Sequence, residues 1–388
     1  MSHGTSQLPC PSEQQEPEPS VASDLSRALP PEVPRPVEAP ASPAVEAVET
    51  ADAIAPADSA DAIAPAAPAD ASRAMSTDGP GRPASGRGLP LHTGKRPPRY
   101  PPHPLRTPSL HDGDEVAAFN PHVLLDGCTE GHLTVRAASV RGDSHNWEGT
   151  CRQDSMLVTR IGPPHAEMLL LAVADGVGSA AYSHSGSYVL SRMAATYLHQ
   201  DAESIHTAIC TGDLAELGAL ANKSFAGAVS KQRASWERRA ASDRLTYSDS
   251  DYATTLHVLL VPTDPGIRDR ALFGVGDGGL ISLRQRQWLS GDEGAGGILD
   301  TRTEALPHAY RTAKARLFRT APGDVLLLGT DGITNPLMQK DPEFAQILTA
   351  AWCSGEIPSM SDFLWQLQTR AVSYDDDRTA ICLWEGTP

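Results

Sequence analysis

Between about residue 116 and residue 384 the chain alternates short apolar runs with glycine, aspartate and proline. The runs cover residues 133–140, 168–174, 255–261, 271–275, 279–283, 325–329 and 379–384. Their length of five to eight residues and their richness in Val, Leu and Ile predict β-strands rather than helices. A different spacing governs residues 187–200, where Tyr188, Val189, Met193, Ala194, Tyr197 and Leu198 recur at helical intervals. A second helix is predicted over 213–241, opening on Asp213 and closing rich in Arg, as the helix dipole favours. Residues 343–352 and 361–373 predict a further helical pair, the latter with Phe363, Leu364 and Leu367 on one face. Strands, helices, strands, helices and a last strand in that order imply an α+β layered fold, not an alternating doubly wound one. Residues 284–316 show no periodicity, and a loop of that length is expected to flank a functional site.

The first 110 residues have another texture. Pro, Ala, Ser and Glu dominate, and Ala51-Asp52-Ala53-Ile54-Ala55-Pro56 recurs almost at once as Ala60-Asp61-Ala62-Ile63-Ala64-Pro65. So little apolar surface cannot offset chain entropy, so residues 1–110 are expected to form a disordered tail and 116–388 a single domain. Charge changes sign within the tail, from acidic up to Asp70 to arginine-rich between Arg73 and Arg106. A solvated linker is the plain reading of that basic stretch.

The net charge of −16 argues against nucleic acid as a partner. No run approaches the roughly 20 apolar residues of a membrane span. The start of the chain lacks the basic and apolar regions of a secretory signal. The six cysteines are scattered without CxxC pairing, which fits reduced thiols in a cytoplasm better than a disulfide framework or a zinc site.

The chemistry is signalled by where the apolar runs stop. Residues 168–174 end on Asp175-Gly176, residues 325–329 lead into Thr330-Asp331-Gly332, and Asp375-Asp376-Asp377 stands just before the last run. A buried strand that stops on a carboxylate delivers it to the sheet end, and clustered oxygen ligands suit hard divalent cations. With no Cys or His in the set, Mg²⁺ or Mn²⁺ is favoured over Zn²⁺ or Cu²⁺. Gln153-Asp154 and Gly276-Asp277 complete an ordered series.

That series resembles the metal-dependent protein serine/threonine phosphatases of the protein phosphatase 2C type, bacterial branch. The matching segments are Gly142-Asp143-Ser144-His145, Cys151-Arg152-Gln153-Asp154-Ser155, Val173-Ala174-Asp175-Gly176-Val177-Gly178-Ser179, Asp251-Tyr252-Ala253-Thr254-Thr255, Val275-Gly276-Asp277-Gly278, Leu328-Gly329-Thr330-Asp331-Gly332 and Asp376-Asp377-Arg378-Thr379. The resemblance implies a four-layer αββα sandwich, two antiparallel sheets flanked by pairs of helices. It implies two Mn²⁺ or Mg²⁺ ions, with Asp175 bridging both, the Gly176 carbonyl on one, and Asp331 and Asp376 on the other. Asp154 would order water from behind the ligands, and Asp277 matches the position of a third, weaker ion. The implied reaction is in-line attack of a bridging water on the phosphorus of phosphoserine or phosphothreonine in proteins, with no protein nucleophile. A monomer is expected.

Two other readings share the motif set: a phosphoprotein-binding module without turnover, and a two-metal phosphoesterase for small phosphate esters. Three departures from the family pattern concern substrate rather than metal. Val177 stands where many members have a histidine, Gly149 where an arginine commonly holds the phosphate, and Gly276-Asp277-Gly278-Gly279 replaces a Gly-Asp-Ser-Arg pattern. Arg141, His145 or Arg152 would replace the arginine, and His145 is preferred. Outside the series, His257 reads as a packed strand residue, 236–239 as the solvated face of a helix and 247–251 as a turn into a strand.

Overall fold

The computed structural model of the protein describes residues 92–101, 105–108, 120–290, 304–338 and 342–387. All of them fall in one compact unit. Two antiparallel sheets form its centre. One contains β4 (Ser155–Ile161), β5 (Met168–Ala174), β6 (Leu256–Pro262), β7 (Asp269–Val275) and β10 (Lys314–Arg319), in the order β10-β7-β6-β5-β4. The other contains β2 (Val123–Glu130), β3 (Leu133–Val140), β8 (Gly279–Arg284), β9 (Gln287–Ser290), β11 (Val325–Gly329) and β13 (Arg378–Glu385), in the order β2-β3-β13-β11-β8-β9.

Successive side chains on a strand point to opposite faces, so a strand covered on both sides must be apolar throughout. In β5, Leu169, Leu171 and Val173 pack between the sheets against Leu259, Leu326, Ile381 and Leu383. Met168, Leu170, Ala172 and Ala174 face outward onto α2 (Ser183–Gln200), α3 (Ala202–Thr211) and α4 (Leu214–Ser242). The second sheet is covered likewise by α5 (Asp331–Met338), α6 (Pro342–Trp352) and α7 (Met360–Leu367). This is the layered sandwich that the sequence predicts.

The differences are local. The helix predicted over 361–373 stops at Leu367, and Arg370–Ala371 forms a short strand, β12. That strand pairs in parallel with β1 (His92–Thr93). Composition assigned residues 92–108 to the tail, yet the described part of that segment is docked on the domain. The Gly94 amide donates to Glu343 Oε2 at 3.0 Å, Arg370 Nη2 donates to the Tyr100 carbonyl, and the Arg106 amide donates to the Asn146 carbonyl at 3.0 Å. Backbone groups and arginines make these contacts, so no apolar periodicity announces them. Residues 1–91 lie outside the described residues, as do 291–303 of the loop predicted over 284–316. Among the described residues no helix is long and apolar enough to cross a membrane.

Candidate active site

The acidic residues converge at one end of the sandwich. Where β5 ends, the Asp175 amide donates to Thr255 Oγ1 at 3.0 Å, and its carbonyl accepts from Thr254 Oγ1 and the Thr255 amide, both at 2.8 Å. These bonds fix the backbone from which the Asp175 carboxylate projects. Asp331 opens α5 directly after β11 and Thr330. The loop with Asp376 and Asp377 closes the site from a third direction, and two glycines allow its approach. A Cβ on Gly332 would stand 1.9 Å from the Asp377 carbonyl oxygen, and one on Gly142 would stand 2.5 Å from the Asp376 carbonyl carbon.

Burial and mutual repulsion govern the charges. Asp154, 2% exposed, is raised well above the ordinary carboxylate range by burial and then by the charge of Asp377. Asp175 is raised in the same way, by burial first and then by Asp154, Asp331 and Asp376. The carboxyls of Asp175 and Asp331 are neighbours, and burial followed by the charge of Asp277 raises Asp331. Asp376 is exposed as a residue, yet desolvation of its carboxyl, then the charge of Asp377, raises it. Each of these carboxyls resists ionising beside the others, and a cation among them would remove that resistance.

Asp377 behaves in the opposite way. Burial acts against its charge, but His145 and the backbone amides of Gly142 and Gln153 outweigh burial and hold it below the ordinary range. Its Oδ1 accepts from Gly142 N at 2.6 Å and lies 2.9 Å from His145 Nδ1; its Oδ2 accepts from Gln153 N at 2.6 Å and Asp154 N at 3.2 Å. Burial disfavours charge on His145, but the bond to Asp377 and the charges of Asp377, Asp376 and Asp154 push it up to about 9. Asp154 Oδ2 in turn accepts from Thr379 Oγ1 at 2.6 Å and Thr330 Oγ1 at 2.8 Å.

The structure therefore brings Asp154, Asp175, Asp331, Asp376 and His145 together. Gly176 bridges Thr254 beside them, and Asp277 sits at the exposed rim near Asp331. Ligand atoms of His145, Asp376 and Asp377 lie within 4.8 Å of one another. Asp377, Thr330 and Thr379 received no role from the sequence, although each stands inside a quoted motif. Asp377 is the hub that joins α1 (Asp143–Glu148), the Gln153-Asp154 segment and β13.

Arg141 and Arg152 do not reach for substrate at this site. Arg152 is 1% exposed and donates to Ser139 Oγ, the Asp154 carbonyl and Asn120 Oδ1. Arg141 donates to Asn146 Oδ1 and the Arg106 carbonyl. Gly149 ends α1 in the left-handed region at φ 79°, a position suited to glycine and poor for arginine. His257 is a packed strand residue whose Nε2 lies 2.7 Å from the Asp277 carbonyl oxygen. Trp236 departs from the solvated face predicted for 236–239: it is buried and stacks on Tyr252 at 4.0 Å, while Glu237, Arg238 and Arg239 are exposed. A cavity of about 300 Å³ beside Asp331 is lined by Glu304, Lys314, Arg316 and Asn335, so the described ends of the 284–316 loop do flank the site.

A protein phosphatase 2C family model matches residues 141–366, more than half of the chain. The chain belongs to the protein phosphatase 2C family. It is thus a metal-dependent protein serine/threonine phosphatase, with phosphorylated protein as its substrate class. No curated protein sequence matches the chain. Among solved structures it is similar to RsbX in complex with magnesium, at 14% identity over 67% of this chain and 98% of that one, TM-score 0.41. It is similar to PppA of the Pseudomonas aeruginosa T6SS, at 17% identity over 67% and 99%, TM-score 0.41. The catalytic domain of the phosphatase PstP with two manganese ions is similar at 19% identity over 65% and 97%, TM-score 0.40. The site's donor set fits the family's requirement for a divalent metal: carboxylate oxygens, raised by one another's charge, with no thiolate among them.

Proposed function

We propose that this chain hydrolyses phosphoserine and phosphothreonine in proteins with two Mn²⁺ or Mg²⁺ ions, held by Asp175, the Gly176 carbonyl, Asp331 and Asp376. The observation that carries this reading is the convergence of four carboxyls at one sheet end, each raised by burial and by its neighbours. Divalent cations bound there supply acidified water and electrostatic stabilisation of the phosphoryl group. Asp154, pinned by Thr330 and Thr379, orients water from behind the ligands. His145, held at Nδ1 by Asp377, keeps a protonated ring beside Asp376, where it attracts substrate phosphate. Asp277, at the rim near Asp331, is the place for a third, weaker ion.

The catalytic unit is the domain together with its docked segment, from about residue 92 onward, acting as a monomer in the cytoplasm. Free cysteines at 128, 151, 210, 353 and 382 are in keeping with a reducing compartment. The test is release of phosphate from a phosphothreonine peptide by the full chain with and without Mn²⁺. Turnover that requires Mn²⁺ and vanishes in Asp331→Asn is expected. Peptide binding without turnover at saturating Mn²⁺ would overturn the enzyme reading in favour of a binding module. Activity confined to small phosphate esters would overturn the assignment of substrate. Removing residues 1–91 leaves turnover on the peptide unchanged.

A further inference from the structure

The loop that brings Asp376 to the metal end has a second side. Strand β13 sends Thr379 to Asp154 and turns Ile381 and Leu383 between the sheets. By the strand's alternation, Arg378 lies on the opposite face with Ala380, Cys382 and Trp384. Its guanidinium is thus set behind the catalytic carboxyls rather than among them. Arg378 is 4% exposed, and its Nε and Nη1 are buried with no hydrogen-bond partner among the described residues. Buried polar groups are almost always satisfied, and an unpaired guanidinium is the most demanding kind.

Arg378 lines a cavity of about 420 Å³ together with His122, Arg141, Arg370 and Asp143. The cavity's rim is formed by His92, Pro98 and Leu105, all at least partly exposed. Only one of the three arginines is neutralised: Arg370 Nε donates to Asp143 Oδ2 at 2.6 Å. Among the described residues Arg141 and Arg378 form no ion pair. A cationic cavity in a chain of net charge −16 marks a local demand for an anion.

We propose that this cavity is a second anion site, for the phosphate group of free phosphate or of a phosphorylated side chain. Guanidiniums that arrive from β13, from the segment before α1 and from β12 surround a tetrahedral oxyanion better than they would one planar carboxylate. The volume admits a phosphorylated side chain as well as the free ion. The site shares no residue with the metal end. It does touch the back of both segments that serve that end, because Asp143 and Asn146 belong to the helix of His145 and Arg378 follows Asp377.

Calorimetric titration of inorganic phosphate into the full chain with EDTA present tests this, since the cation-free acidic end repels an anion. One saturable site is expected, weakened about tenfold or more in Arg378→Gln, as loss of a charge-assisted hydrogen bond implies. His122→Glu puts a carboxylate in the same cavity with all three guanidiniums intact, and the same loss is expected there even if Arg378→Gln does not fold. A phosphothreonine peptide run in parallel separates the two sources: tighter binding than phosphate assigns the site to phosphorylated side chains, and equal or weaker binding assigns it to free phosphate. Absence of saturable phosphate binding to the wild-type chain, or unchanged affinity in His122→Glu, would overturn the proposal.

Discussion

Strand β13 carries a buried charged residue at each end, Arg378 and Glu385, and the two ends of the sandwich it joins are built on different principles. At the end away from the site, Glu385 is enclosed by cations. Arg270 meets both its oxygens at 2.9 and 3.1 Å, Arg268 reaches Oε2 at 2.8 Å and Thr320 donates to Oε1 at 3.0 Å. At the other end Asp154, Asp175, Asp331 and Asp376 face one another, and the nearby cation of His145 is bonded to Asp377. Burial of charge alone therefore does not mark function in this molecule. Burial without compensation does, because a folded protein tolerates it only where a ligand completes the balance.

The largest expected effect comes from the uncompensated end. Asp175→Asn or Asp331→Asn takes peptide turnover to background, beyond the roughly 10–100-fold that loss of a supporting partner costs a metal site. The same variants keep or gain unfolding temperature without metal, because each removes a repelling charge. Glu385→Gln inverts that pattern. It strands two buried guanidiniums and is expected to cost about 3–5 kcal/mol of stability by denaturant unfolding, with turnover per folded molecule retained. If Glu385→Gln abolished activity in folded protein, the division between the ends would fail.

Thr379→Val removes one of the two hydroxyls on Asp154, and about a 10–100-fold loss in Mn²⁺ affinity or turnover is expected. A smaller effect should appear against pH. Carboxyls raised in the folded state contribute stability below the ordinary carboxylate pKa of about 4 and lose it as pH rises. The metal-free chain should thus melt at falling temperature from acid toward neutral pH, and Mn²⁺ should cancel the decline. Asp377, held low, works the other way: its contribution is present above the ordinary range and lost on acidification. His145 contributes fully below 6.5 and loses that contribution as pH rises through about 9, a decline His145→Gln should flatten.

How much of this was legible in the sequence depended on burial. The seven strands foreseen are the inner strands of the two large sheets, and the four strands of those sheets that were missed, β2, β4, β9 and β10, are their edges. An inner strand is covered on both faces and reads as an unbroken apolar run. An edge strand such as Gln287–Ser290 or Lys314–Arg319 is partly solvated and carries polar residues that dilute the signal. The site shows the same division. Carboxylates at the ends of inner strands, Asp175 and Asp331, were legible because the strands were. The work of Asp377 was not, because it consists of hydrogen bonds to Gly142, His145, Gln153 and Asp154, more than 220 residues away in the chain. The described residues of 92–108 escaped for a related reason, since their contacts are made by backbone groups and arginines.

The central claim is that the acidic end is incomplete until it holds a divalent cation, whereas the Arg268–Arg270–Glu385 end is complete in itself. Thermal unfolding of the full chain at neutral pH, followed across a Mn²⁺ titration in the wild type and in Asp331→Asn, tests it most directly. The account predicts a saturable rise in the wild-type midpoint and little or no rise in the variant. An equal rise in both, or none in the wild type, would contradict it.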